Sequence, residues 1–181
     1  MRRTTLVMFM VVAALGLMAS GASAGSPHFK HGGEPVCTIS SSGGSATVTC
    51  RGSLAGLGNE DLRINVTVAG SAVYQCQNNG GQIAPGQNKV LVGPTTTPTT
   101  IPSGEIKNGN LNFSAPATLT APTTVTGAQA GCPNANWTGV NPTLTVTSIS
   151  VSFEQPPGTP ILTTCSASNP NGLTSPVKLT C

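Results

Sequence analysis

The chain has 181 residues, a formal net charge of +3 and only 7% charged residues. Without Arg2 and Arg3, six basic residues face five acidic ones, a net charge of +1. The six are dispersed, which excludes the clustered basic surface of a nucleic-acid-binding protein.

Residues 1–24 have the pattern of a secretory signal peptide. Arg2 and Arg3 precede an apolar run from Leu6 to Met18, which is shorter than a membrane span, and Ala22-Ser23-Ala24 offers a cleavage site with small residues. The sequence therefore predicts a mature chain that begins near Gly25. We expect it to be secreted to the extracellular space, with no membrane span after cleavage.

Residues 25–34 are predicted to form a flexible N-terminus of the mature chain. His28 and His31 are the only histidines, and the glycines and proline that follow make a helical pair of metal ligands unfavourable. A solvated terminal segment is the simpler interpretation. We therefore expect no metal site and no cofactor here.

Short segments rich in Val, Ile, Leu and Thr predict β-strands through the rest of the chain. Leu62–Val68 alternates strictly, with four aliphatic side chains on one face. The parity of the alternation changes at Thr147-Ser148, which predicts a bulge or a break between two strands. Other strands are predicted at 46–50, 72–76, 89–92, 110–114, 144–146, 149–153 and 160–164.

Clusters of Gly, Pro, Asn and Ser between these segments predict turns, including Gly70-Ser71 and residues 78–81. Residues 93–105 (GPTTTPTTIPSGE) are predicted to be a surface loop with one edge strand, where proline is tolerated. Eight or so strands at this spacing are typical of a sandwich. Residues 35–181 are therefore predicted to form a single all-β domain, an antiparallel immunoglobulin-like β-sandwich with disulfide bonds.

Six cysteines in an exported chain predict three disulfides, and the absence of any Cys-x-x-Cys pair makes metal binding by these thiols unfavourable. Two pairs flank short predicted turns or loops, which leaves one long-range pair. Locality therefore predicts the bridges Cys37–Cys50, Cys165–Cys181 and Cys76–Cys132.

Catalytic chemistry has little support in the sequence. No Gly-x-Ser-x-Gly motif occurs, and Glu60 and Asp61, the only adjacent acids, are interpreted as part of a polar turn. A glycosidase pair remains an alternative because such carboxylates meet in space rather than in sequence. The five acidic residues that could supply it are Glu34, Glu60, Asp61, Glu105 and Glu154.

Tyr74 and Trp137 are the only residues of their types. Tyr74 lies two residues before Cys76, as in the tyrosine corner of immunoglobulin domains, but the neighbouring cysteines and tryptophan are misplaced for that motif. Trp137 is either a surface for stacking a sugar ring or a core residue packed on the Cys76–Cys132 bridge. Its small polar neighbours and the scarcity of aromatic residues favour the core.

Four segments occur in a recognisable order: CRGSLAGLGNEDLRINVTVAG (50–70), CQNNGGQIAPGQN (76–88), IPSGEIKNGNLNFS (101–114) and AGCPNANWTGVNPTLTVTSISVSF (129–153). Together they resemble a group of short secreted proteins of actinobacteria and similar bacteria. The resemblance covers about two thirds of the chain and implies a secreted β protein. It transfers no catalytic residue, and the tail beyond Pro156 departs from the pattern.

These observations predict a non-enzymatic secreted or cell-surface protein with a binding or structural role. Two alternatives stay open: a carbohydrate-binding module or small glycoside hydrolase, and a secreted inhibitor of an enzyme. The partners expected of such a protein are cell-wall polysaccharide or another extracellular protein.

Overall fold

The computed structural model describes residues 25–181, so the predicted signal peptide lies outside the described residues. The described chain is nearly all β, as predicted, with a four-residue helix and a 3-10 turn at Ser103–Glu105. The elements in chain order are β1 (His28–Phe29), β2 (Val36–Ser42), β3 (Ser45–Ala55), β4 (Leu62–Gln77), β5 (Ile83–Ile101), β6 (Leu111–Thr120), β7 (Val125–Thr126), α1 (Gly127–Ala130), β8 (Thr138–Glu154), β9 (Cys165–Ser168) and β10 (Val177–Lys178).

The strands form two antiparallel sheets. In the first sheet the order is β10-β2-β3-β6, with β1 pairing β3 beyond the end of β2. In the second sheet the order is β5-β4-β8, and β7 and β9 pair the far edge of β8 at different heights. Strands β2, β3 and β6 thus occupy the positions of A, B and E, and β5, β4, β8 and β9 those of C′, C, F and G. This strand order confirms the immunoglobulin-like sandwich.

Alternation builds the core between the two sheets. In β4 every second residue from Leu62 to Cys76 points inward and is buried, and β6 shows the same period over its whole length. The largest fully buried side chains are Tyr74, Phe153, Leu54, Leu62, Ile64, Leu119 and Ile149. Burial of each aliphatic side chain stabilises the fold by about 1.5–3 kcal/mol.

The expectation of a flexible segment at 25–34 differs from the structure. Strand β1 pairs with the end of β3, and the backbone continues the contact: the Lys30 amide donates to the Ser53 carbonyl (3.0 Å) and the Ser53 amide to the Gly33 carbonyl (2.9 Å). The ring of Phe29 packs edge-on against Phe153 at 5.5 Å between centroids. An aromatic side chain with a place in the core therefore ties this segment down.

The change of parity in β8 is a bulge, as predicted. Ala69 pairs with Ser148, whereas Gly70 pairs with Val146, so Thr147 is the extra residue. The bulge lets both halves of β8 place their aliphatic side chains in the core.

The predicted turn at Gly70-Ser71 is wrong, because β4 runs straight through it. A side chain at Gly70 would place its Cβ 2.4 Å from the Thr145 carbonyl oxygen of β8. Glycine here permits close approach of two strands, which is the other reason for a glycine inside a strand pattern.

The prediction of a strand at 160–164 is also wrong. Only Pro160 forms an isolated bridge, with Glu154, and the regular strand begins at Cys165. The Ile161 amide still donates to the Phe153 carbonyl (3.0 Å), but residues 161–164 form no strand. Residues 93–105, by contrast, do contribute an edge strand: Pro94 and Pro98 lie in β5, which pairs only with β4.

All three predicted disulfides are present: Cys37–Cys50, Cys76–Cys132 and Cys165–Cys181. The first links directly opposed residues of β2 and β3, and the second ties the end of β4 to the segment after α1. Such bonds persist in an oxidising environment. No helix within residues 25–181 has the length and apolar character needed to cross a membrane.

Candidate functional site

The two histidines lie on the surface and are not brought into a metal site. Both side chains are exposed, and Nδ1 of His28 lies 2.8 Å from the Ser26 carbonyl oxygen. Within the described range, no three His, Cys, Asp or Glu side chains are grouped so that they could hold a metal ion.

Glu60 and Asp61 lie on an exposed turn before β4. The Asp61 carboxylate accepts a hydrogen bond from the Ser103 amide (2.8 Å), and the Glu60 carbonyl accepts one from the Gln155 side chain (2.6 Å). Gln155 is buried and also bonds both backbone groups of Gly58. These contacts hold three loops together at one end of the sandwich.

Glu154 is the most heavily engaged carboxylate. It accepts hydrogen bonds from the Asn65 side chain (2.8 Å) and the Gly158 amide (2.7 Å), and it lies 3.6 Å from the Arg63 guanidinium. Its lone pairs are therefore used to fix the turn that follows β8.

Tyr74 is buried, and its hydroxyl donates to the Pro122 carbonyl at 2.8 Å. The acceptor comes 48 residues later in the chain rather than shortly before the tyrosine, so this is not a tyrosine corner. Burial raises the pKa of the phenol above its ordinary value of 10.0.

An open recess of about 270 Å³ surrounds Trp137 at the end of β4 and β8. We call it the Asn–Trp recess. It is lined by uncharged residues only: Asn78, Asn79, Gly80, Asn134, Asn136 and Trp137.

The strand register explains why these residues meet. Gln77 of β4 pairs with Thr138 of β8, so Asn78 and Trp137 are the next residues outward on the two strands. The Cys76–Cys132 bridge joins the two segments just below the recess. Its floor is therefore fixed by the sheet and by a covalent link.

The first wall is the turn between β4 and β5. The Asn78 side-chain oxygen accepts from the Gly80 and Gln82 amides, both at 2.9 Å, and Gly81 has a φ of 80°. Asparagine thus caps its own turn, and glycine supplies the left-handed conformation. Asn79 is left exposed at the tip.

The second wall follows α1. Thr126 and Gln129 form a capping box at the start of this short helix, and Gly131 ends it with a φ of 68°. Beyond Cys132, the Asn134 side-chain oxygen accepts from the Asn136 amide (2.9 Å), and the Asn134 carbonyl accepts from the Trp137 amide (3.1 Å). The backbone around Trp137 is thereby held by local hydrogen bonds.

The prediction of Trp137 as a core residue needs correction. The residue packs against the core, but it is partly rather than fully buried, and it lines the recess. Every buried side-chain nitrogen or oxygen in the described residues has a partner, and none of the hydrogen bonds there uses the indole N–H. The indole N–H therefore has no hydrogen-bond partner within residues 25–181.

Several polar groups around the ring are also unused. The side-chain amides of Asn79 and Asn136 form no hydrogen bond with residues 25–181, and the Asn134 NH₂ group is likewise without a partner there. The recess therefore offers part of one aromatic residue together with amide donors and acceptors, and no charged group.

Two larger cavities offer less chemistry. One of about 600 Å³ lies between the Gly43-Gly44 turn and the β8 segment around Asn141. There the Gln75 side-chain oxygen is already taken by the Asn141 amide (2.9 Å). The other, of about 570 Å³, contains Lys107, whose ammonium group donates to the Gly104 carbonyl (2.6 Å).

The sequence predicted the turn at 78–81 but not its part in a site. The signal was available in the predicted Cys76–Cys132 bridge, because Asn78 follows one cysteine by two residues and Trp137 follows the other by five. What the sequence could not supply was the outward position of the ring.

Comparisons with known proteins do not assign the chain to a family. No family model matches the chain, and no curated protein matches it. Among solved structures, a β-glucuronidase of Bacteroides uniformis is similar over 79% of this chain, with 15% sequence identity and a TM-score of 0.37. The chain spans 14% of the length of that enzyme chain, and a likeness at this level carries no argument.

Proposed function

We propose that this protein is a secreted or cell-surface β-sandwich protein that acts by binding rather than by catalysis. The observation that carries the proposal is the Asn–Trp recess, a preformed site with a partly buried aromatic side chain and unused amides. Such a combination of an aromatic surface with a few polar groups is typical of ligand sites.

Secretion is supported by the pattern of residues 1–24 and by the three disulfides, which need an oxidising compartment. A binding role is supported by the way the acidic residues are used. The carboxylates of Asp61 and Glu154 accept hydrogen bonds from backbone amides of neighbouring loops, so both have a structural task.

The test is to incubate the mature chain with insoluble cell-wall polysaccharides and to measure both retention and released reducing ends. We expect retention without release. Reducing ends that appear with the native protein and disappear with Glu60→Ala would identify a hydrolase and overturn the proposal. A stoichiometric complex with a protease or an amylase, formed in place of polysaccharide retention, would support the inhibitor alternative instead.

A further inference from the structure

We propose that the Asn–Trp recess binds a neutral saccharide, with one sugar ring stacked on Trp137 and its hydroxyls bonded to Asn79 and Asn136. This inference rests on the proposed binding function and assigns it a ligand class and a place. The inference rests on three features: the partly exposed Trp137 side chain, the free amides and the absence of charge from the lining.

The ring selects the class of ligand. The partly buried indole at the recess combines an apolar ring with an N–H that makes no hydrogen bond within residues 25–181. A pyranose has the matching surface, since its axial C–H groups form an apolar face and its hydroxyls lie around the rim. A purely apolar ligand would leave the surrounding amides desolvated without partners, which is costly.

The amides select hydroxyls. Each free asparagine side chain carries two N–H donors and an oxygen acceptor, and a sugar hydroxyl both donates and accepts. Asn79 and Asn136 come from opposite walls, the β4–β5 turn and the loop before β8, so they can bond different hydroxyls of one ring.

The lining selects against charged ligands. No Lys, Arg, Asp or Glu lines the recess, so a uronate or a sulfated sugar would enter without a compensating charge. The size limits the contact: about 270 Å³ lies just below the range of roughly 300–1,000 Å³ that is typical of pockets for drug-sized ligands. We therefore expect the recess to hold one sugar unit, with Kd on the order of 0.1–1 mM.

A folded protein partner fits this surface less well. A stable protein–protein interface covers about 800 Å² on each partner, and it needs a buried apolar centre. Here a single, partly buried aromatic side chain is surrounded by asparagine and glycine.

The first experiment uses the only tryptophan of the chain as the probe. The mature protein is titrated with cellohexaose, chitohexaose, mannohexaose and laminarihexaose, and with oligogalacturonate as the charged comparison. We expect a saturable blue shift of the emission with at least one neutral oligosaccharide and none with oligogalacturonate. No change with any neutral probe at millimolar concentration, or a stronger response to oligogalacturonate, would overturn the inference.

The second experiment measures affinity by calorimetry with the best probe, because Trp137→Ala removes the fluorophore. We expect Trp137→Ala to weaken binding at least tenfold and Trp137→Phe to weaken it less. Asn79→Ala and Asn136→Ala should each weaken it roughly three- to tenfold, which corresponds to one hydrogen bond. Asn171→Ala is the matched control, since Asn171 is an exposed asparagine on a turn that does not line the recess.

The outcomes separate the two proposals. Unchanged affinity in Trp137→Ala and Asn79→Ala, with far-ultraviolet circular dichroism as in the native protein, rejects the saccharide site but leaves binding through another surface. Enzymatic release of reducing ends, measured separately, rejects the binding function itself.

Discussion

Tyr74 and Trp137 show how position relative to the sheet decides the burial of a large ring. Tyr74 lies inside β4 on the inward parity, and only 1% of its surface is exposed. Trp137 is the residue immediately before β8 and lies beyond the last residue pair of β8 with β4, so the opposite sheet does not cover it fully. Composition alone suggested that the largest ring would fill the core, but the end of a strand pair is outside the core.

The buried phenol of Tyr74 makes the free energy of unfolding depend on pH in the alkaline range. Because burial raises the folded-state pKa of Tyr74 above 10.0, the unfolded chain loses this proton first as the pH rises. The contribution is constant below pH 10.0, and we expect the free energy of unfolding to fall above it. Urea unfolding at a series of pH values measures this.

Tyr74→Phe is the control for that titration. It should lower stability by about 0.5–1.5 kcal/mol at neutral pH through loss of the bond to Pro122, and it should reduce the alkaline decline. The same alkaline slope in both proteins would show that other groups cause the decline.

Truncation of Trp137 should cost less than truncation of a core ring. A fully buried aromatic costs about 3–5 kcal/mol when replaced by alanine, so for this half-buried residue we expect about 1–2 kcal/mol from Trp137→Ala. Chemical unfolding followed by circular dichroism measures the change. A loss as large as that of Phe153→Ala, a fully buried ring, would place Trp137 in the core after all.

At the scale of elements, the sequence predicted strands well where alternation is strict and poorly where a partner strand decides. Leu62–Val68 lies in β4 with the predicted face buried, and the bulge near Thr147 was visible as a change of parity. The sequence predicts a turn at Gly70-Ser71 because glycine and serine favour turns. Their role inside a strand depends on how closely β8 approaches, which the local sequence does not contain.

The close approach at Gly70 can be tested by adding one methyl group. We expect Gly70→Ala to destabilise the protein by about 1–3 kcal/mol, because its Cβ would meet the Thr145 carbonyl oxygen and neither strand can move freely. Gly104→Ala is the matched control, since nothing lies within 4 Å of a Cβ there. Equal stability of the two variants in urea unfolding would contradict this explanation of the glycine.

At the scale of the whole molecule, the cysteine pattern predicted more of the three-dimensional structure than any single strand pattern did. The short sequence separation of two cysteine pairs, which left the third pair over, correctly predicted all three bridges. The spacing of the turns correctly predicted a two-sheet fold. The N-terminal segment was missed because its attachment depends on Phe29 reaching Phe153 of a distant strand. The recess was missed because two loops far apart in sequence build it, and only their three-dimensional arrangement shows which side chains remain free.

The disulfide bridges also differ in which segments of the chain they connect. Cys76–Cys132 closes a separation of 56 residues and Cys165–Cys181 one of 16, so the chain-entropy model expects losses of about 4 and about 3 kcal/mol when each is removed. Of these two bridges, only Cys76–Cys132 joins the two walls of the Asn–Trp recess.

The Cys76→Ala/Cys132→Ala variant is compared with the native protein at a temperature where circular dichroism still shows a folded sandwich. It should lose most of its response to the neutral oligosaccharide that the native protein binds. Cys165→Ala/Cys181→Ala should keep that response despite a similar loss of stability. Equal responses from the two folded variants would mean that the recess is shaped by the sheet register alone, without help from the disulfide.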